Sequence, residues 1–363
     1  MKKLGFGCMR FPETNGKIDH NAVCKMFDAF IAAGFTYFDT AHGYMGEKSE
    51  EAVRECLTKR YKREEYTLTD KLTSNYFEKK DDIYPFVLSQ LKETGVDYFD
   101  YYLMHALSSE NYPKYVSCEA FEVAKQLKTD GKIKHIGISF HDTAQMLDKI
   151  LTEQPCIEVV QIQFNYLDFD DPGVQSYECY KICEKHNKPV IVMEPVKGGS
   201  LVNLAAESKA IFDELGDASY ASYAIRFAAS FDKVFMVLSG MSNIEQVNDN
   251  ISYMKDFVPF NEEEFEAVKK VRDIIRNEDL IPCTACHYCT DGCPKKIKIP
   301  EVIACFNAKK QRKDWNNEFY YGIHTTDAGK ASDCIKCGKC EKVCPQHLKI
   351  RDILCDISEA FEK

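Results

Sequence analysis

Residues 283–294 read CTACHYCTDGCP, and residues 334–345 read CIKCGKCEKVCP. Both runs follow the pattern C-x2-C-x2-C-x3-C-P, in which three cysteines at a stride of three are followed by a fourth that precedes a proline. Three thiolates at this stride can surround one corner of a metal–sulfur cluster, while the proline bends the chain so that the fourth thiolate reaches a second centre. The two runs therefore predict a small module with two metal centres.

The pattern resembles that of bacterial-type ferredoxins, which carry two [4Fe–4S] clusters. The resemblance implies crossed ligand sets, with Cys283, Cys286, Cys289 and Cys344 on the first cluster and Cys334, Cys337, Cys340 and Cys293 on the second. Zinc ribbons are the main alternative, but they use paired C-x2-C knuckles with four ligands in all. A disulfide framework would need an oxidising compartment and would not demand this stride.

The rest of the composition indicates a soluble chain with a large core. Its 363 residues, 45% of them hydrophobic, are enough for a barrel and an added module. The nine other cysteines share no spacing, so we expect most of them to be small buried side chains and not a disulfide framework. We find no secretory signal and no run of about 18 apolar residues, which predicts a cytoplasmic protein without membrane contact. A net charge of −10 without a basic stripe argues against nucleic-acid binding.

Before the cysteine runs, short apolar stretches alternate with longer amphipathic ones. Strands are predicted at Leu4–Arg10, Phe35–Asp39, Tyr66–Lys71, Tyr98–His105, Ile133–Ser139, Glu158–Phe164, Pro189–Glu194 and Lys233–Ser239, and a helix is predicted after each. This alternation is typical of βαβ units with a parallel sheet, and eight units in about 250 residues predict a (β/α)8 TIM barrel. A doubly wound sheet is the alternative, but no G-x-G-x-x-G motif follows the first strand.

The predicted domain order is a barrel over residues 1–258, a connector helix over 259–276 and a small α+β ferredoxin-like module over 277–363. Pro259-Phe260-Asn261 marks the first boundary, since Asn261 can cap the connector helix. Within the module, Trp315 and the aromatic residues at 319–321 are expected to pack over a cluster or against the barrel.

Polar residues end four successive predicted strands: Asp39, Lys71, His105 and Ser139. In a barrel these strand ends converge on the face that carries the active site. Asp39 can supply the counter-charge of Lys71, and the ammonium is expected to lower the pKa of Tyr44. Tyr44 could then exchange a proton with a carbonyl oxygen that His105 orients. Each residue taken singly also has an ordinary structural role, as an ion pair, a core histidine or a packing aromatic.

The sequence around these positions resembles the aldo/keto reductases. The stretches that carry the resemblance are FDTAHGY at 38–44, TDK at 69–71, DYFDYYLMH at 97–105 and GKIKHIGIS at 131–139. It extends over roughly residues 1–255 and implies a catalytic tetrad of Asp39, Tyr44, Lys71 and His105, with NAD(P)H extended across the barrel mouth. The residues implied to bind that cofactor are Ser139, Gln161, Met193, Glu194, Pro195, Ser239, Gly240, Met241, Gln246 and Asn250.

Two departures from the family pattern concern the cofactor. Phe140 stands where many members have an asparagine that anchors the nicotinamide. Gly240 and Gln246 stand where many NADP-binding members carry a lysine and an arginine for the 2′-phosphate. The choice between NADH and NADPH is therefore open.

The two halves transfer different numbers of electrons at a time. A reduced nicotinamide gives two electrons as a hydride, whereas a [4Fe–4S] cluster accepts one. One hypothesis is a reductase of a small carbonyl, or an alcohol dehydrogenase, with clusters that are structural or serve a partner. A second is an electron-transfer protein linked to a ferredoxin or to a flavin in the barrel mouth. A third is a non-catalytic scaffold. Six lysines flank the cysteines and either raise the cluster potentials, dock an acidic electron carrier or form a solvated basic rim: Lys295, Lys296, Lys298, Lys336, Lys339 and Lys342.

Overall fold

The coordinates are those of a computed structural model, which describes residues 2–171, 174–277, 280–311, 316–326 and 328–363. Trp315 lies outside these residues. Of the aromatic side chains expected to pack nearby, Tyr321 is buried and stacks on Phe361 with ring centroids 4.5 Å apart, so it belongs to the core of the module.

Eight parallel strands of the described chain close into a barrel, and a short hairpin (β2 and β3) precedes the first helix. The strands are β1 (Leu4–Gly7), β2 (Glu13–Thr14), β3 (Lys17–Ile18), β4 (Tyr37–Asp39), β5 (Thr67–Leu72), β6 (Phe99–Leu107), β7 (Ile133–Phe140), β8 (Val159–Gln163), β9 (Val190–Met193) and β10 (Val234–Ser239). Apart from the hairpin, each strand pairs with its neighbours along the chain, and β1 closes the ring against β10. This is the predicted TIM-barrel architecture.

Helices cover the outside of the barrel and continue into the C-terminal module. They are α1 (His20–Ala32), α2 (Ser49–Val53), α3 (Lys80–Thr94), α4 (Tyr112–Ser117), α5 (Ala120–Thr129), α6 (Ala144–Glu153), α7 (Ser176–Lys185), α8 (Ala206–Asp213), α9 (Tyr220–Ala229), α10 (Ile244–Met254), α11 (Glu262–Asn277), α12 (Tyr288–Asp291), α13 (Ile299–Gln311), α14 (Asn316–Thr325), α15 (Lys339–Lys342) and α16 (Ile350–Phe361). α4 and α8 lie in segments that the sequence pattern presents only as loops after strands.

The barrel has two apolar layers because its strand residues alternate between two faces. Side chains such as Leu103, Val159 and Ile191 point inward and fill the barrel interior. Their neighbours point outward and pack against the helices, where Phe6, Phe27 and Phe38 form part of one large aromatic cluster. The interior is therefore solid below the rim, and a ligand can enter only at the strand ends.

The connector helix α11 packs on the barrel, with Val268 and Val271 buried in the barrel core. Glu264, in the first turn of α11, forms an ion pair with Arg226 of α9 at 2.6 Å. The module has its own small core around Val302, Ile350 and Leu354. The regular elements of its described part are short helices and one bridge between Ile297 and Gly329, joined by loops. The predicted domain boundaries stay a prediction.

The scattered cysteines include one bonded pair that the sequence did not indicate. Cys24 of α1 and Cys56 of the helical turn after α2 form a disulfide, with Cα atoms 4.6 Å apart. Their 32-residue separation gave no local signal, because the fold of two successive βα units brings them together. Of the other seven, five are buried, as expected: Cys8, Cys118, Cys179, Cys183 and Cys305.

Candidate active site and cluster module

The four residues of the predicted tetrad meet at the barrel mouth. Asp39 is the last residue of β4, and Lys71 lies on the neighbouring strand β5, with Nζ 2.5 Å from Asp39 Oδ1. Both side chains are almost fully buried, and Nζ also donates to the carbonyl oxygen of Thr40 at 2.7 Å. The ring of Tyr44 lies 4.8 Å from Nζ and 5.8 Å from the ring of His105.

The expected pKa shift of Tyr44 was wrong in sign. Burial raises the pKa of Tyr44 well above its usual range, and the negative charge of Asp39 raises it further. The charge of Lys71 is paired with Asp39 in direct contact, so burial and the Asp39 charge outweigh it. Tyr44 therefore keeps its proton at neutral pH.

His105 is neutral in this environment. Burial lowers its pKa well below the usual range, and the nearby charge of Lys71 acts in the same direction. Its Nδ1 lies 2.7 Å from the hydroxyl of Thr73, which leaves the other ring nitrogen for a ligand. Ser139 does not reach the cavity directly, since its hydroxyl accepts a hydrogen bond from the backbone N–H of Ala106 at 2.7 Å.

The predicted cofactor residues fall into two groups. Gln161, Met193, Glu194 and Gly240 line a cavity of about 690 Å³ together with Asp39 and Tyr44, and Gln161 Nε2 donates to Asp39 Oδ2 at 3.3 Å. The remaining ones do not line this cavity: Pro195 and Met241 are buried, Ser239 accepts from Asn250 at 2.9 Å, and exposed Gln246 accepts from the N–H of Ser242 at 2.7 Å.

The C-terminal module forms the other wall of this cavity. Thr284, Cys286 and Tyr288 line it from one cysteine run, and Pro345 and Gln346 line it from the other. Burial raises the pKa of Tyr288 well above its usual range, and Tyr44 is the next largest influence on it. The barrel mouth is thus covered by the 284–288 segment and by the turn after Cys344.

Backbone contacts hold the 284–288 segment against the barrel. Arg10, in the loop after β1, donates to the carbonyl oxygen of Thr284 at 2.9 Å and lies 3.9 Å from Glu194. Gly198 packs so closely that a Cβ built on it would lie 2.3 Å from the same carbonyl oxygen. Only glycine fits at this approach, where the backbone also has a positive φ of +64°.

A buried polar cluster holds the turn that follows Cys344. The side chain amides of Gln163 and Gln346 are paired, at 2.8 and 3.0 Å. Lys197 Nζ donates to Gln346 Oε1 and to Asp168 Oδ1, both at 2.5 Å. Since Lys197 and Asp168 are nearly inaccessible, this contact fixes the module through fully desolvated groups.

The eight cysteines lie in two groups that mix the two runs. Cys283, Cys286, Cys289 and Cys344 line one cavity of about 310 Å³. Cys293, Cys334, Cys337 and Cys340 line another of about 320 Å³. In each group the first three cysteines of one run are joined by the last cysteine of the other. Among the described residues, no three Cys, His, Asp or Glu side chains approach closely enough to hold a single metal ion.

Comparison with known proteins bears on both halves. The aldo/keto reductase family model matches residues 3–273, and a 4Fe-4S dicluster domain model matches residues 282–349. The chain belongs to the aldo/keto reductase family. It is an oxidoreductase that carries a C-terminal 4Fe-4S dicluster domain.

Relatives and solved structures match mainly this reductase barrel. An uncharacterized oxidoreductase of Bacillus subtilis, YqkF, is 24% identical over 69% of this chain and 86% of its own length. The NAD(P)H-dependent D-xylose reductase of Candida tenuis is 31% identical over 41% of this chain and 51% of its own. The holo form of aldo-keto reductase AKR11C1 from Bacillus halodurans superposes with a TM-score of 0.62 at 25% identity, covering 74% of this chain and 91% of that one. A Klebsiella pneumoniae aldo-keto reductase in complex with NADPH shares the fold at 20% identity, with a TM-score of 0.60 over 75% of this chain and 95% of that one.

Sequence reasoning missed the residues by which the module covers the reductase site. Arg10, Lys197 and Gln346 occur in loops without a motif, and Tyr288 is simply an aromatic residue between two cysteines. The C-x2-C spacing places the module in the chain but carries no information on which of its faces meets the barrel.

As for membranes, none of the helices that the structure describes has the length and apolar character needed to cross one.

Proposed function

We propose that the protein reduces a small carbonyl compound, or oxidises the corresponding alcohol, with Tyr44 as the proton donor. The observation that carries the proposal is the meeting of Asp39, Lys71, Tyr44 and His105 at the barrel mouth, where Asp39 and Tyr44 line the cavity. The residues that line this cavity suit the nicotinamide end of NAD(P)H, which would supply a hydride to the carbonyl carbon. Gln161, Met193, Glu194 and Gly240 would hold it.

Each residue of the tetrad has a distinct part in the proton transfer. Tyr44 holds its proton at neutral pH and would give it to the carbonyl oxygen while the carbon receives the hydride. Neutral His105 would orient that oxygen by a hydrogen bond. Lys71, fixed by Asp39, stabilises the phenolate that remains until Tyr44 regains a proton.

The same proposal assigns the eight cysteines to two [4Fe–4S] clusters. The crossed grouping of the thiols supports Cys283, Cys286, Cys289 and Cys344 as ligands of a proximal cluster beside the barrel. It supports Cys293, Cys334, Cys337 and Cys340 as ligands of a distal cluster. When bound, the clusters would supply one-electron transfer.

Replacement of Tyr44 by phenylalanine tests the catalytic assignment. We expect Tyr44→Phe to lower kcat for NAD(P)H-dependent carbonyl reduction by about 10²–10⁴-fold, because one positioned proton donor is removed. The matched control is Tyr101→Phe, which removes a hydroxyl near the amino end of β6, away from the mouth. Iron and labile sulfide contents should be unchanged in both variants. Retained turnover in Tyr44→Phe would refute the assignment.

A second function is favoured by one observation, that Cys286 lines the same cavity as Tyr44. Electrons would then reach a substrate in the cavity from the module, as in a ferredoxin- or flavin-linked electron-transfer protein. Anaerobic addition of NADH or NADPH to cluster-replete protein separates the two functions. Bleaching of the cluster absorbance with a new EPR signal supports the linked function, and the flavin absorbance of the purified protein then shows whether a flavin takes part. Tight cofactor binding without bleaching supports hydride transfer alone.

A further inference from the structure

The two cysteine groups differ in what they face. The proximal group shares Cys286 with the covered barrel mouth. The distal group lies toward solvent, because Cys337 is the one exposed cysteine among the eight. Lys295, Ile335 and Lys339 line the distal cavity beside it. A molecule that exchanges electrons with the module from outside would therefore meet this side first.

The surface around Cys337 is basic in a chain of net charge −10. Lys295, Lys336 and Lys339 are exposed, and among the described residues none of the three forms an ion pair. Three acidic residues lie within four positions of them in sequence: Asp291 is exposed, and Glu341 is paired with Arg351 at 2.8 Å. The third, Asp333, is exposed and accepts a hydrogen bond from the backbone N–H of Lys330. The positive charge of the lysines thus remains available to a partner.

The same surface exposes an apolar side chain. Ile335 is 58% exposed and Val343, at the end of the same cysteine run, is 46% exposed. They are two of six large hydrophobic side chains that are exposed in the described chain, and both lie within ten residues of each other. An exposed apolar residue ringed by charges that have no internal partner is the composition of a protein contact site.

We propose that Lys295, Ile335, Lys336, Cys337 and Lys339 form a docking surface for a small acidic one-electron carrier protein of the ferredoxin type. The proposal rests on the cluster assignment of the proposed function. In the linked function the module supplies the electrons in place of NAD(P)H, and reduction of a carbonyl to an alcohol takes two electrons and two protons. A carrier that delivers one electron at each encounter would then dock and leave twice in each turnover. A small surface with charged edges suits such a short-lived complex, since redox encounters bury less than about 1,200 Å².

The test measures binding without turnover. The probe is an oxidised, acidic two-[4Fe–4S] ferredoxin, titrated calorimetrically and anaerobically into the full-length, cluster-replete protein at low and at high salt. The variant is Lys336→Glu/Lys339→Glu. Its matched control is Lys269→Glu/Lys270→Glu, which makes the same change in net charge on two exposed lysines of α11. A basic c-type cytochrome serves as the probe of opposite charge.

We expect the surface variant to raise Kd for the ferredoxin about tenfold or more at low salt, and the control to change it less than about twofold. High salt should weaken ferredoxin binding by wild type and so reduce the difference in Kd between wild type and the surface variant. The basic cytochrome should bind wild type more weakly than the ferredoxin does. Equal effects of the two variants, or no ferredoxin binding by wild type, would overturn the docking surface.

Direct reduction by dithionite distinguishes a failure of the docking surface from a failure of the cluster assignment in the proposed function. If dithionite produces the EPR signal of reduced [4Fe–4S] clusters in wild type and in both variants, the binding data judge the docking surface alone. If wild type lacks the iron and labile sulfide of two clusters, the cluster assignment fails, and the docking proposal fails with it.

Discussion

Gly198 offers the sharpest perturbation of the contact between the module and the barrel. A Cβ built on it would lie 2.3 Å from the carbonyl oxygen and 2.7 Å from the carbonyl carbon of Thr284. Both atoms belong to the backbone, so no rotamer change relieves the overlap, and the 284–288 segment must move. Neighbouring Gly199 also has a positive φ, but a Cβ built there would meet nothing closer than the Asn203 side chain at 3.7 Å.

The difference between alanine variants at these two glycines isolates the docking contact. Each substitution costs about 1–2 kcal/mol for a side chain in the left-handed region. Gly198→Ala adds an overpacking cost of about 1–3 kcal/mol, which would shift the docking equilibrium of the module by roughly 5- to 150-fold. Gly199→Ala should leave that equilibrium unchanged.

Hydrogen exchange read by mass spectrometry measures this shift. With clusters intact and under anaerobic conditions, backbone amides of 284–288 should exchange faster in Gly198→Ala than in Gly199→Ala. Small-angle scattering should show a larger radius of gyration for the first variant only. Equal exchange in the two variants would refute the inference that the module closes the barrel mouth through this contact.

Three further predictions concern single side chains in the site and beneath it. Lys71→Met should destabilise the barrel by about 3–5 kcal/mol in anaerobic denaturation, because it leaves the buried Asp39 carboxylate unpaired. Asp39→Asn/Lys71→Met should recover most of that loss without activity, and an equally unstable double variant would contradict the argument. Burial and the neighbouring carboxyl of Glu50 raise the pKa of Asp70 well above its usual range, so the folded chain holds a proton there that the unfolded chain releases above roughly pH 4. Wild-type stability therefore falls at this site as pH rises above roughly 4, and Asp70→Asn should gain stability relative to wild type as pH rises, while a constant difference would disprove the shift. Tyr288→Phe should raise KM more than it lowers kcat if the module positions the substrate, and unchanged kinetics would remove Tyr288 from the site.

Much of the fold followed from local patterns. The strand positions were predictable because each strand is a short apolar run that ends at turn residues. Because the strands alternate regularly with helices, only a few folds are compatible with the pattern. Polar strand ends such as Asp39, Lys71 and His105 could be placed together before any coordinates, since parallel strands in a barrel share one carboxyl end. α4 and α8 were missed because they lie inside loops whose lengths give no periodic signal.

The parts that escaped prediction depend on contacts distant in sequence. The disulfide of Cys24 with Cys56 joins successive βα units, and the Gln163–Gln346 amide pair spans 183 residues. The pKa of Tyr44 was misjudged because only the charge of Lys71 was expected to act on the ring, although Asp39 acts on it with the opposite sign. The burial of the ring becomes visible once the module covers the mouth.

Because the module covers the barrel mouth, its position affects the proton chemistry of the site. Burial is the largest cause of the raised pKa of Tyr44, and part of the wall that excludes water is the 284–288 segment. A variant that loosens this segment, such as Gly198→Ala, should admit water and bring the pKa of Tyr44 back toward its ordinary value. The alkaline limb of the pH profile of kcat/KM, which reports the free enzyme, should then move to lower pH in Gly198→Ala and stay in place in Gly199→Ala. An unmoved limb in a variant shown by hydrogen exchange to be loosened would mean that the barrel alone desolvates Tyr44.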